Sequence, residues 1–228
     1  MKHSMRKTIS DWAVVTVLAA LMMGVVPLFA GTTVGIIDWD ANPPDTAWVA
    51  DPGSVAVSTN TTTPVDKWLQ IVFDDSDPLA VLVRGPANDL FAGTWSSESW
   101  IEFDFWSDGA SVPESLEVRW ANAGDTNVWG YALTPAPGSG WQTLRTESFG
   151  NVADWNSNSL GDPNDFLADL QSIDWIGIYI ERTGTGNASY GIDDVSLMVP
   201  EPAEILMLAA AFGVGLLVFR RMRLVPVG

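Results

Sequence analysis

The residues best suited to chemistry in this 228-residue chain are carboxylates set beside tryptophans. In Trp100-Ile-Glu-Phe-Asp-Phe-Trp106, apolar and polar residues alternate with the period of a β-strand. Ile101, Phe103 and Phe105 then share one face, and Trp100, Glu102, Asp104 and Trp106 share the other. Aromatic faces stack on sugar rings and carboxylates accept hydrogen bonds from hydroxyls, so the second face is a candidate carbohydrate-binding surface. A second set is made of oxygen donors: Asp38 and Asp40 near the start of the acidic middle of the chain, Asp193 and Asp194 near its end. If those ends meet, they offer the carboxylates that a calcium ion prefers. Asp74-Asp75-Ser76-Asp77 begins like a calcium-binding loop. Counted from Asp75, however, the sixth position is Ala80 and the twelfth is Pro86, where a glycine and a glutamate are required.

Composition removes other chemistries. The chain has no Cys, which excludes disulfides, thiolate nucleophiles and zinc–sulfur sites. Its one His is His3, in a basic leader, which excludes Ser-His-Asp catalysis and multi-histidine metal sites. A formal net charge of −17 opposes nucleic acid, whose binding needs cations to replace counterions. Twelve Trp and nine Phe argue for a packed core rather than disorder.

The charge is not evenly spread. Gly31 to Pro200 holds five basic residues against 25 acidic ones, while the remaining six basic residues lie at the two ends. At the N-terminus Lys2, Arg6 and Lys7 precede an apolar stretch from Trp12 to Phe29 and the small residues Ala30 and Gly31. This is the order of a secretory signal peptide over residues 1–30, although Leu28 is large for a cut after Ala30, and an uncleaved anchor is the other reading. At the C-terminus Ile205 to Phe219 forms an apolar run of 15 residues, followed by Arg220, Arg221, Met222 and Arg223. As a helix the run spans roughly 22 Å, enough to cross a membrane marginally with snorkelling arginines. Its basic end marks the cytoplasmic side.

Val199-Pro200-Glu201-Pro202 stands just before that run. With the apolar helix and the basic cluster, the segment 199–223 resembles the C-terminal sorting signal of PEP-CTERM proteins; the tail 224–228 extends further than is usual there. The resemblance implies an exosortase, a membrane protease, as partner. It also implies export across the inner membrane of a Gram-negative bacterium, transient anchoring at the C-terminus, and delivery to the outer surface or an exopolysaccharide matrix. Two prolines favour an exposed, extended motif that a protease can reach.

Residues 31–198 read as an all-β domain. Candidate strands are Val34–Asp38, Ser54–Ser58, Trp68–Phe73, Leu79–Val83, Trp100–Trp106, Leu116–Trp120, Val128–Leu133, Trp141–Thr146, Trp175–Glu181 and Tyr190–Met198, separated by Gly, Pro, Asn and Asp clusters. Thr59 to Pro64 reads as a polar loop, and Phe166 to Leu170 as the one helical turn. Ile176, Ile178 and Ile180 share a core face. Ile192 is out of step with Val195 and Leu197, so a bulge at Asp193-Asp194 is expected to bring all three inward.

The pattern from Trp100–Phe105 through Val128–Tyr131, Gly140–Thr143 and Ile173–Leu197 resembles galactose-binding-like jelly rolls, common among carbohydrate-binding modules. The resemblance implies a single antiparallel β-sandwich, flanked here by the signal helix and the C-terminal helix. It also implies first and last strands brought together, which would join Asp38 and Asp40 to Asp193 and Asp194 around a structural calcium. Glu102-x-Asp104-x-Trp106 is similar to the Glu-x-Asp-x-Glu strand of laminarinase-type glycosidases, but Trp106 replaces the third acid. The expected protein is therefore a non-enzymatic, exported surface or matrix protein. The alternative is a carbohydrate-binding module, or remnant glycosidase-like jelly roll, that binds exopolysaccharide.

Overall fold

The computed structural model describes residues 31–40, 48–51, 53, 55–63, 66–86, 90–109, 112–124, 127–157 and 162–200. The signal peptide, Glu201, Pro202, the apolar run and the arginine cluster lie outside the described residues. Among the described residues no helix is long and apolar enough to cross a membrane.

Residues Gly31–Pro200 form one compact unit of two six-stranded antiparallel sheets. The strands are β1 (Gly31–Ile37), β2 (Val49–Asp51), β3 (Ala56–Thr63), β4 (Asp66–Phe73), β5 (Ala80–Arg84), β6 (Trp100–Asp108), β7 (Pro113–Asn122), β8 (Val128–Leu133), β9 (Ser139–Arg145), β10 (Asn156–Ser157), β11 (Ile173–Arg182) and β12 (Ala188–Pro200). The first sheet runs β3-β4-β12-β6-β9, with β1 also paired to β12; the second runs β10-β8-β7-β11-β5-β2. The expected all-β sandwich is what the chain forms.

Alternation decides which residues meet in the core. Leu69, Ile71 and Phe73 of β4, Ile101, Phe103 and Phe105 of β6, and Tyr190 and Ile192 of β12 are buried from the first sheet. Val81 and Val83, Leu116, Val118 and Trp120, and Ile176, Ile178 and Ile180 are buried from the second. The expected bulge is present. The register of β12 against β6 shifts between Asp193 and Ser196, and Asp194 takes a φ of 50°. That extra residue restores parity, so Ile192, Val195 and Leu197 are all buried.

Most tryptophans are core residues. Trp120 packs with its ring centroid 6.0 Å from Trp95, 6.1 Å from Trp129, 6.4 Å from Trp155 and 5.3 Å from Phe166. The short helix α1 (Phe166–Asp169) supplies Phe166 to this cluster. It is pinned by the buried Asp169 carboxylate, which accepts hydrogen bonds from Asn122 Nδ2 at 2.8 Å, Asn127 Nδ2 at 2.9 Å and Trp129 Nε1 at 2.9 Å. A buried carboxylate is tolerable because its lone pairs are filled.

One sequence expectation is corrected, and two short strands were not foreseen. Thr59 to Thr63 is not a polar loop: it continues β3, where Thr59 pairs with Leu69 and Asn60 with Trp68. β-branched threonines suit an edge strand, and pairing outweighs their polarity. The strands β2 and β10, of three and two residues, carry too little alternation to be seen in the sequence.

Candidate functional site

The outer face of the first sheet gathers side chains from four strands that are far apart in sequence. Gly191 on β12 sits opposite Gln70 on β4 and Trp106 on β6, and Trp106 sits opposite Trp141 on β9. In the next row Asp193 is opposite Asp104, and Asp104 is opposite Thr143. Trp68 lies two residues before Gln70 on the same face.

Gly191 makes the arrangement possible. A Cβ at that position would lie 3.0 Å from Trp141 Cη2, 3.0 Å from Trp68 Cδ1 and 3.2 Å from Trp106 Cβ. Without a side chain on β12, the rings of Trp68 and Trp141 reach over it and meet edge to face, with centroids 5.6 Å apart and planes at 83°. Trp68 and Trp106 are half-buried, and Trp141 is 42% exposed. The outcome is the Trp68–Trp141 ring pair with Trp106 on the neighbouring strand, all three partly exposed on one face of the sandwich.

Hydrogen-bonding groups flank the rings. Asn60 Nδ2 donates to Gln70 Oε1 at 3.0 Å, and Gln70 Nε2 donates to Ser189 Oγ at 3.3 Å. Thr143 Oγ1 donates to Asp104 Oδ1 at 2.6 Å. Each of these groups keeps donor or acceptor capacity for a hydroxylated ligand. Rings for stacking and oriented polar groups for hydroxyls are together the chemistry of a sugar-binding surface.

Of the expected sugar-contacting residues, Glu102, Asp104 and Trp106 share this face and are each partly exposed. Trp100 is a correction. It is only 4% exposed, and the Arg145 guanidinium lies over its ring at 5.2 Å, so it offers no open face. Trp68, Gln70, Trp141 and Gly191 were missed. The only local signal was a glycine inside the strongly patterned strand Tyr190–Met198, which marks a close approach to the backbone.

The acidic set comes together in part. Carboxylate oxygens of Asp38, Asp193 and Asp194 all lie within 4.8 Å of one another, because β1 runs antiparallel to β12 and ends beside the bulge. Asp40 is not in that trio: its amide donates to Asp38 Oδ1 at 2.7 Å, and its own Oδ1 accepts a hydrogen bond from the Lys67 amide at 2.5 Å. Burial pushes the Asp193 carboxyl up to about 7, and the charges of Asp194, Asp38 and Asp40 push the same way against a hydrogen bond from the Asp194 amide. A hard cation suits this oxygen-only set by supplying the missing positive charge.

No protein-family model matches the chain, and no curated protein does either. Solved structures do. A family 11 carbohydrate-binding module from Clostridium thermocellum, in complex with a β-1,3-1,4-mixed-linked tetrasaccharide, matches at a TM-score of 0.52 and 18% identity, over 75% of this chain and 97% of that one. A family 11 module of a cellulosomal cellulase of the same organism matches at 0.49 and 19%, over 75% and 97%. The xylan-binding domain CBM22-1 of Paenibacillus barcinonensis Xyn10C matches at 0.44 and 16%, over 75% and 97%. At 18% identity the likeness to the first of these is one of fold: a β-sandwich of two antiparallel sheets.

Proposed function

We propose that Gly31–Pro200 is a non-enzymatic polysaccharide-binding domain, carried to the cell surface or extracellular matrix by the signals at the two ends of the chain. The observation that carries the reading is the open cluster of Trp68, Trp106 and Trp141 over Gly191, flanked by Gln70, Asp104, Thr143 and Ser189. In this reading the indole faces stack on sugar rings and the polar groups select hydroxyl positions. The face has Trp106 where a glycosidase of the Glu-x-Asp-x-Glu type needs its third acid, which supports binding without hydrolysis. A glycan array probed with the Gly31–Pro200 fragment tests the proposal. Binding to a polysaccharide, lost in Trp141→Ala, is expected. An array with no positive glycan, or one unaffected by that substitution, would overturn it.

Delivery rests on the sequence. The order of Pro200-Glu201-Pro202, the apolar run Ile205–Phe219 and Arg220, Arg221 and Arg223 supports processing by an exosortase-type membrane protease on the exported side. Replacing Pro200-Glu201-Pro202 by alanines is expected to leave export intact and to keep full-length protein in the inner membrane. Normal processing of that variant would reduce the segment to an anchor.

The proposal includes a structural calcium held by Asp38, Asp193 and Asp194. A bound ion stabilises the native state alone, by roughly 2.7 kcal/mol at a hundred times its dissociation constant. The melting temperature should rise with calcium, and identical curves in calcium and chelator would remove the ion from the account.

A further inference from the structure

The first and last strands of the domain close on each other at its edge. β1 and β12 pair Gly31 with Pro200, Thr32 with Val199 and Thr33 with Met198, then shift register before Gly35 pairs with Leu197. Three rungs therefore lie between the edge and the irregularity. On its other side β12 is paired to β6 only as far as Met198, opposite Trp100. Among the described residues, Val199 and Pro200 are thus paired to β1 alone. These two residues open the motif Val199-Pro200-Glu201-Pro202, and Gly31 directly follows the leader boundary at Ala30. Each expected processing site has the flank of the other as its pairing partner.

The three rungs are weakly built. β1 is paired to β12 alone among the described strands. Gly31 and Gly35 give up more backbone freedom than other residues on joining a strand. Pro200 has no amide hydrogen, so the terminal rung lacks a donor on that side. Thr33 Oγ1 adds one contact to Met198 Sδ at 3.4 Å. Past the irregularity the ladder is anchored, because Ile37 and Val195, which face each other there, are buried in the core. Opening can therefore run through Gly31–Thr33 and stop, with the rest of the sandwich intact.

A paired strand end is a poor protease substrate, since cleavage of a folded protein proceeds through its locally opened population. We propose that the pairing of Gly31–Thr33 with Met198–Pro200 is a gate on proteolysis at Val199 and Pro200, where the C-terminal motif begins. A protease reaches these two residues only when the three rungs open, so the folded state of the domain's edge sets the rate of release. The same pairing engages the flank of the leader boundary in a strand, so leader removal belongs before the gate closes. The gate rests on the sorting reading above and adds to it the element that controls the cut.

The chain has no cysteine, so a disulfide can be placed on the gate without competitors. Thr32 and Val199 are directly opposed in antiparallel strands, where Cα atoms are about 4.5–5.5 Å apart, inside the range a disulfide spans. The full-length Thr32→Cys/Val199→Cys variant, followed by pulse-chase in a host that processes the wild type, should release its C-terminal segment about tenfold more slowly or worse when oxidised. Reductant should restore the rate of the double variant that was never oxidised, and neither single-cysteine variant should respond to oxidant. Thr33→Pro, which removes an amide from the innermost rung of the clasp, should speed release. If the oxidised clamp is cut at the wild-type rate while the alanine variant of Pro200-Glu201-Pro202 is not cut, the gate is wrong and the sorting reading stands. If the alanine variant is cut like wild type, or the wild type is never cut, both fall together.

Discussion

The outer faces of the two sheets are built from similar parts and differ in how those parts are used. On the second sheet the Arg84 guanidinium lies 4.8 Å over the Trp175 ring, and that of Arg119 lies 3.5 Å over Tyr179 while its Nε donates to Glu117 Oε2 at 2.8 Å. The aromatics there are capped by the protein's own cations. On the first sheet the Arg145 guanidinium covers Trp100 in the same way, but among the described residues no cation lies over Trp68, Trp106 or Trp141. Two mid-strand glycines, Gly177 and Gly191, repeat the contrast. A Cβ at Gly177 would lie 2.7 Å from Val83 O and 2.8 Å from Arg84 Cβ, so that glycine lets neighbouring strands close. Gly191 instead leaves room for indole rings above the sheet. Aromatic residues mark a ligand face only where the protein leaves them uncapped.

The sharpest test of this contrast is truncation of rings on either face. Trp141→Ala or Trp68→Ala should cost about 2 kcal/mol of glycan binding, roughly 30-fold in Kd, by titration calorimetry. Tyr179→Ala on the other face should leave Kd unchanged. Equal losses on both faces would break the comparison.

The glycines come next. Gly177→Ala meets backbone that has no flexible end to yield, and should destabilise the domain by about 1–3 kcal/mol in urea unfolding without altering the affinity of the folded fraction. Gly191→Ala should have the opposite profile: its Cβ displaces Trp68 and Trp141, weakening binding by about 1 kcal/mol with less effect on stability. If the two variants behave alike, the glycines do not play different roles.

A smaller effect is expected at the capped face itself. Arg119→Ala removes a partly exposed ion pair and a cation–π contact, and should lower stability by about 0.5–1 kcal/mol with no change in binding.

The smallest is a pH dependence in chelator. The Asp193 carboxyl titrates near 7 in the folded domain against an ordinary value of 3.8, so the folded state holds a proton that the unfolded chain gives up. Its contribution is fully present below about pH 4 and is lost as pH rises through about 7. Chelated protein should therefore show a falling contribution to melting temperature over that window, and Asp193→Asn should flatten it. An unchanged slope in that variant would assign the dependence to other groups.

Strands, faces and the bulge were legible in the sequence because each is a local property. Period-two alternation names Phe103, Phe105, Ile176, Ile178 and Ile180 as core without knowing what they touch. The broken parity of Ile192 with Val195 and Leu197 requires an extra residue whatever the partner strand is. The meeting of Asp38 with Asp193 and Asp194 is not local: the resemblance to jelly rolls implied it, together with Asp40, which is not in the trio. The proposed ligand face was only half legible, since Glu102, Asp104 and Trp106 sit on one strand while Trp68, Gly191 and Trp141 join them through the order β4-β12-β6-β9. That order is set by which hydrophobic faces close over the core, a choice made between segments tens of residues apart. Whether a tryptophan is buried, capped or open is decided at the same level: Trp100 and Trp106 lie on one face of one strand six residues apart, yet Arg145 on β9 covers the first while the second stays partly exposed.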